Sequence, residues 1–228
     1  MRWVITGANR GIGLELVRQL AARGDTVEAG ARLPAEASDL EAIAKVSDDR
    51  VHIHACDVAN DASVAEFGAA ITSPVDVLVN NAGVMGKMDS IAKLDLADAT
   101  RTFDTNALGP IRVTRALLAR LEEAKTRKVV HITSGMGSIA DNSSGGAYGY
   151  RMSKAALNMA NKSMSVDLGG RGFTCVVMNP GWVKTDMGGA GASTPVEESA
   201  SKMIAIIDRL SASQNGEFLN YRGGTLPY

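Results

Sequence analysis

Trp3-Val-Ile-Thr-Gly-Ala-Asn-Arg-Gly-Ile-Gly13 sets a short β-branched run directly before a glycine-rich turn, and from Ile12 to Arg23 apolar residues then recur at helical spacing. A strand that ends in glycines and opens a helix is the first half of a βαβ unit. The same alternation continues downstream. Thr26–Ala31, Val51–Ala55, Val75–Asn80, Lys128–Thr133 and Phe173–Met178 read as strands, and Gly216–Asn220 as a weaker seventh. Between them, Glu36–Lys45, Ser63–Ile71, Leu96–Glu123, Tyr148–Gly169 and Thr194–Leu210 carry the helical pattern. Such alternation implies parallel strands joined by crossover helices. Strands apolar on both faces, as in Val75-Asp-Val-Leu-Val79, call for helices on both sides of the sheet.

The predicted fold is therefore a doubly wound, seven-stranded, mostly parallel Rossmann-type α/β sheet. In that architecture ligands bind at the carboxyl ends of the strands, where strand order reverses. At 228 residues, with no linker or repeat, the chain is expected to form one domain over residues 1–228. Net charge is −1 without blocks of like charge, which argues against nucleic acid and an anionic membrane surface as partners. Cys56 and Cys175 lie in apolar runs with no C-x-x-C spacing, so reduced thiols and a soluble, cytoplasmic protein are expected. Met1 runs straight into the first strand, leaving no room for a signal peptide. His52, His54 and Cys56 alternate along the third strand and would share a face, but a fourth ligand is missing, and no metal site is expected. His131 reads as a packed polar residue.

The spacing of the turn is G-x-x-x-G-x-G, with Gly7, Gly11 and Gly13 as its glycines. Glycines admit close approach of a pyrophosphate to a helix N-terminus, whose free N–H groups favour anions. Asn9, Arg10 and Ile12 complete the expected cradle. The adenosine ribose is usually read at the end of the second strand, about 20 residues further on, by an acidic residue. Here Ala31-Arg32 stands at that place. Arg32, joined by Arg10 from the turn, suits a 2′-phosphate, so NADP(H) is the expected cofactor rather than NAD(H). Asp57 and Val58 end the third strand, where the Asp57 carboxylate can accept a bond from the adenine amino group. Asn80-Asn81-Ala82-Gly83 ends the fourth with small residues that let backbone approach a ligand. Tyr150 and Lys154, four apart at the start of a helix, share one face, so the ammonium could favour the ionised phenol.

Thr6–Gly13, Asn80–Gly83, Asn106, Ser134, Tyr150-Arg-Met-Ser-Lys154 and Pro180-Gly-Trp-Val-Lys-Thr185 together resemble the ordered motif set of the short-chain dehydrogenase/reductase family. The match runs from the first residues into the last fifth of the chain. Within the family, Ser134-Gly-Met-Gly-Ser-Ile139 and the short Gly-rich tail are similar to carbonyl reductases of the sniffer and C-factor type. The resemblance implies Asn106, Ser134, Tyr150 and Lys154 as the catalytic set. Tyr150 would give its proton to a carbonyl oxygen as hydride arrives, and Ser134 would bond that oxygen. Lys154 would tune the phenol and bond the nicotinamide ribose, and Asn106 would hold a water linking Lys154 to a proton relay. The Pro180–Thr185 segment, with Gly181, would hold the carboxamide through the Val183 backbone and the Thr185 hydroxyl. Tyr148 lacks a lysine at i+4, which selects Tyr150 over it.

The function so implied is reversible hydride transfer between NADP(H) and a small-molecule carbonyl or alcohol, most naturally the reduction of aldehydes or ketones. A cofactor-sensing regulatory or interaction protein of the same fold, without turnover, is the rival. Fifteen residues separate Ser134 from Tyr150, and the excess over many family members falls at Asp141-Asn-Ser-Ser-Gly-Gly146. That loop and Met187–Ser193 are the expected borders of a substrate cleft. Leu96–Glu123 and Tyr148–Gly169 leave a homo-oligomer, dimer or tetramer, open.

Overall fold

A computed structural model describes all residues, Met1–Tyr228. Seven strands form one parallel sheet: β1 (Arg2–Thr6), β2 (Thr26–Ala31), β3 (Val51–Ala55), β4 (Val77–Asn80), β5 (Lys128–Ile132), β6 (Thr174–Asn179) and β7 (Phe218–Asn220). Their order across the sheet is β3-β2-β1-β4-β5-β6-β7, and every pairing is parallel. The order reverses between β1 and β4, which puts the expected ligand crevice above those two strands. Seven helices connect them: α1 (Gly11–Ala22), α2 (Ser38–Lys45), α3 (Asp61–Ala70), α4 (Leu96–Phe103), α5 (Gly109–Glu123), α6 (Tyr148–Gly169) and α7 (Val196–Arg209). None is long and apolar enough to cross a membrane.

The period-2 geometry of the strands sorts their apolar residues into two cores. Trp3, Ile5, Val27, Val77 and Val79 face α1, α2 and α7, where Leu16, Leu20, Leu40, Met203 and Ile207 complete the packing. Val4, Leu78, Val129 and Cys175 point the other way, onto Val64 and Phe67 of α3 and Val113, Leu117 and Leu121 of α5. Burial of both faces explains why the strands lack polar alternation.

One predicted helix is not continuous. Leu96–Glu123 divides into α4, a wide π-type turn at Asp104–Leu108, and α5. The local reasons are visible in Gly109-Pro110. Pro110 has no N–H, so the Asn106 carbonyl loses its α-helical donor. A Cβ on Gly109 would stand 2.9 Å from Val58 Cγ2, so α5 starts hard against the end of β3. Smaller differences concern strand ends. The fourth strand begins at Val77 rather than Val75, because the Val75 N–H turns to the Arg120 carbonyl at 2.9 Å.

Candidate active site

The glycine turn closes over the carboxyl end of β1. Gly7 and Gly11 hold φ of 65° and 55°, which other residues rarely adopt. A Cβ on Gly13 would lie 2.2 Å from the Gly7 carbonyl oxygen, so Gly13 lets α1 pack on the turn beneath it. The N-terminus of α1 has no side-chain cap and no acid in its first turn. Its free N–H groups therefore face the crevice with positive polarity.

A cavity of about 320 Å³ runs from this turn across the tips of β2, β3, β4 and β5. Gly7, Asn9, Arg10, Gly11 and Ile12 line it from the turn. Arg32 lines it from the end of β2, and Asp57 and Val58 from the end of β3. Asn81, Ala82 and Gly83 contribute from β4, Tyr150 and Lys154 from α6, and Pro180 and Thr185 from beyond β6. The sequence reading missed Glu36, Thr105 and Asp186, which line the same cavity beside Met187 of the expected cleft border. No motif marks them, since they reach the site only through the folding of loops and of the π-type turn.

Four expected cofactor contacts are not among the residues that line the cavity. Asn80 turns away from the crevice into the α5 side of the sheet. There its Nδ2 donates to Thr114 Oγ1 at 3.1 Å and lies 3.2 Å from His131 Nδ1. Strand alternation explains the correction, because Asn80 and Asn81 must face opposite ways. Asn81 instead secures the turn, donating from Nδ2 to the Thr6 and Gly7 carbonyls at 3.0 and 3.1 Å. Gly13 is buried behind the turn. Gly181, at φ 85°, packs so close to Tyr221 that a Cβ would sit 2.5 Å from its ring. Val183 is buried in a bridge to Thr194.

Tyr150 and Lys154 share the buried face of α6, at 7% and 5% exposed. Burial pushes the Tyr150 phenol above its ordinary pKa, while hydrogen bonding with Ser134 opposes the shift. The expected depression of that phenol by Lys154 is therefore not what governs it: the ammonium sits 5.8 Å from the ring centroid, and desolvation prevails. Lys154 is itself lowered to about 8 by burial alone, with no carboxylate beside it. One of its three protons goes to the Ile132 carbonyl at 2.9 Å. Ser134 caps the turn after β5 by accepting from Met136 N at 3.1 Å, while its own O–H is directed at the Tyr150 phenol.

Asn106 sits in the π-type turn, 1% exposed, and clamps the loop after β4. Its Oδ1 accepts from Val84 N at 2.8 Å, and Nδ2 donates to Val84 O and Ser153 Oγ at 2.8 and 3.0 Å. Both N–H groups are thus spent inside the protein. Asn106 Oδ1 and Lys154 Nζ converge on Gly83, 3.1 and 3.6 Å from where a Cβ would stand. Glycine at 83 keeps the space between them open.

The histidines of β3 have a structural partner. His54 Nε2 and His52 Nδ1 lie 2.7 and 3.2 Å from the Glu28 carboxylate on β2. Burial works to raise that carboxyl, but the bonds with His54 and His52 and the charge of Arg2 outweigh it and hold it at about 2. Cys56 is pushed up to about 12 by burial and stays a thiol. His131 is held down at about 3, first by burial and then by the Lys154 charge, and remains neutral.

The sequence pattern of the short chain dehydrogenases matches residues 2–195. The chain belongs to that family. The C-signal protein of Myxococcus xanthus is 53% identical over 157 residues, covering 69% of this chain and 95% of its own. The carbonyl reductase Sniffer of D. melanogaster superposes with a TM-score of 0.94 at 35% identity, over 100% of this chain and 99% of that one. An NADPH-bound carbonyl reductase from chicken fatty liver gives 0.94 at 33% identity, over 100% and 98%. The chain is thus an oxidoreductase-family member of the sniffer and C-factor type, and the family works with a nicotinamide cofactor.

Proposed function

We propose that this member of the short-chain dehydrogenase family reduces aldehydes or ketones with NADPH, and can run the reverse oxidation with NADP. The carrying observation is one continuous cavity. It has a glycine turn and uncapped helix N-terminus at one end, two arginines at its rim, and a buried tyrosine–lysine pair at the other end. The residues fit the cofactor. Arg32 is an exposed, unpaired guanidinium, where a carboxylate would be needed to favour NAD(H). The neighbour from chicken carries NADPH by name, which supports the same choice.

When bound, the nicotinamide exchanges a hydride with the substrate carbon. Tyr150, un-ionised at neutral pH, holds the proton for the carbonyl oxygen, and the bond with Ser134 works against the desolvation that would otherwise make it a weaker acid. Ser134, whose O–H faces the Tyr150 phenol, turns that O–H to the same substrate oxygen and stabilises the charge that develops there. Lys154 has two N–H groups left after bonding Ile132 O, enough for a ribose hydroxyl and a relay towards Gly83. Asn106 fixes the loop that carries Gly83 and Val84, with Oδ1 turned to the open space beside Lys154.

The test is purified protein with NADPH and a panel of aldehydes and ketones, followed at the nicotinamide absorbance. Wild type should consume NADPH with at least one carbonyl. The Tyr150→Phe variant should bind NADPH as wild type does and lose about 10²- to 10⁴-fold in turnover. Binding without consumption on any substrate would leave the cofactor-sensing reading instead, and normal turnover by the variant would remove Tyr150 from the role of acid.

A further inference from the structure

The two arginines at the phosphate end of the cavity are not equivalent. Arg32 is exposed and unpaired. Arg10 donates from Nη1 to Asp186 Oδ2 at 3.1 Å, across 176 positions of sequence. Asp186 lies in the segment that follows β6, and with Thr185 it lines the same cavity as the glycine turn. The ion pair therefore joins two segments of the cavity wall. The Thr185 side chain approaches the turn beside that pair, since a Cβ on Gly11 would stand 3.3 Å from Thr185 Cγ2. At 64% and 79% exposed, the paired side chains are largely in water, so the bond is weak and its partners exchangeable. A 2′-phosphate is the stronger partner for a guanidinium, being nearly dianionic with three acceptor oxygens.

We propose that Asp186 is a specificity-determining residue: it competes with the 2′-phosphate of NADP(H) for Arg10, and so sets how strongly NADP(H) is preferred over NAD(H). The proposal rests on the NADP(H) reading above. NADP(H) must take Arg10 away from Asp186 before the arginine can serve the phosphate. NAD(H) has no such group and leaves the pair as it is. Asp186 thus tempers the preference that Arg10 and Arg32 create, and ties the Thr185–Gly189 segment to the glycine turn until the phosphate arrives.

Calorimetric titration of the full-length protein with NADPH and with NADH tests this without relying on turnover. Asp186→Asn should tighten NADPH about two- to fivefold, the range expected for release of an exposed ion pair, with NADH nearly unchanged. In an Arg10→Gln background the same substitution should change neither. Equal tightening of both cofactors would mean that Asp186 acts as a general negative charge on the pyrophosphate, and would overturn the proposal. So would an unchanged NADPH affinity, or a full effect in the Arg10→Gln background. Failure of the underlying reading looks different: wild type would bind NADPH and NADH equally, and the proposal would fall with it.

Discussion

Replacing Lys154 with methionine should change stability in a pH-dependent way while it abolishes turnover. Burial lowers the Lys154 ammonium from 10.5 to about 8, a difference that corresponds to about 3 kcal/mol. The sign follows from proton counting. Below about pH 8 the amine is charged in both states, and the fold carries the full cost of a buried ammonium. Between about 8 and 10.5 the folded lysine is neutral while the unfolded one still holds its proton, so the unfolded state binds more protons and wild-type stability rises with pH. Lys154→Met has no such group. At pH 7 it escapes the desolvation cost but strands the Ile132 carbonyl, at about 1–3 kcal/mol, so the variant should be equal to wild type or more stable by up to about 2 kcal/mol. Between pH 7 and 10 that advantage should fall by about 2–3 kcal/mol. Cys56 and Cys175, both raised to about 12 by burial, act in the opposite direction above about pH 9. They act equally on both proteins, so the wild-type minus variant difference isolates Lys154. Urea unfolding followed by circular dichroism at pH 7, 8, 9 and 10 gives that difference directly. A gap between the two proteins that stays constant across this range, or widens in favour of the variant, would refute the buried-ammonium account.

The same geometry sets further expectations. Arg32→Asp should weaken NADPH binding by tenfold or more and NADH by much less, in line with loss of a charged hydrogen bond at about 1.5–3 kcal/mol; equal losses in a fluorescence titration would reject a contact between Arg32 and the 2′-phosphate. Gly13→Ala should destabilise the fold and weaken both cofactors, because a Cβ 2.2 Å from the Gly7 carbonyl must displace the turn. A variant that melts and binds as wild type does would show that the turn moves at no cost.

The ends of the strands and the motif residues upon them were legible from the chain alone, because each depends on local chemistry. Thr6–Gly13 follows a strand and opens a helix whatever surrounds it, and Tyr150 and Lys154 share a helix face by spacing alone. The π-type turn at Asn106 left a trace too, in the Gly109-Pro110 pair, yet a helical pattern that runs through it at Leu96–Glu123 concealed the break. Asn80 was misplaced for a related reason. Its motif neighbours face the crevice, and only the pleat, paired with His131 across β4 and β5, shows which of the two asparagines turns inward.

Sequence by itself determined the doubly wound sheet, its family and most of the residues at the crevice, since hydrophobic period, glycine turns and short motifs are properties of neighbouring residues. Tertiary structure alone decided the rest. The Tyr150 phenol is raised rather than lowered because its surroundings come from β5, α6 and the turn after Ser134. Arg10 finds Asp186 across 176 positions because β6 lies beyond β1 and β4 in the sheet order and returns its following loop to the same crevice. Desolvation and charge pairing depend on distance in space, and no local pattern in the chain encodes that distance.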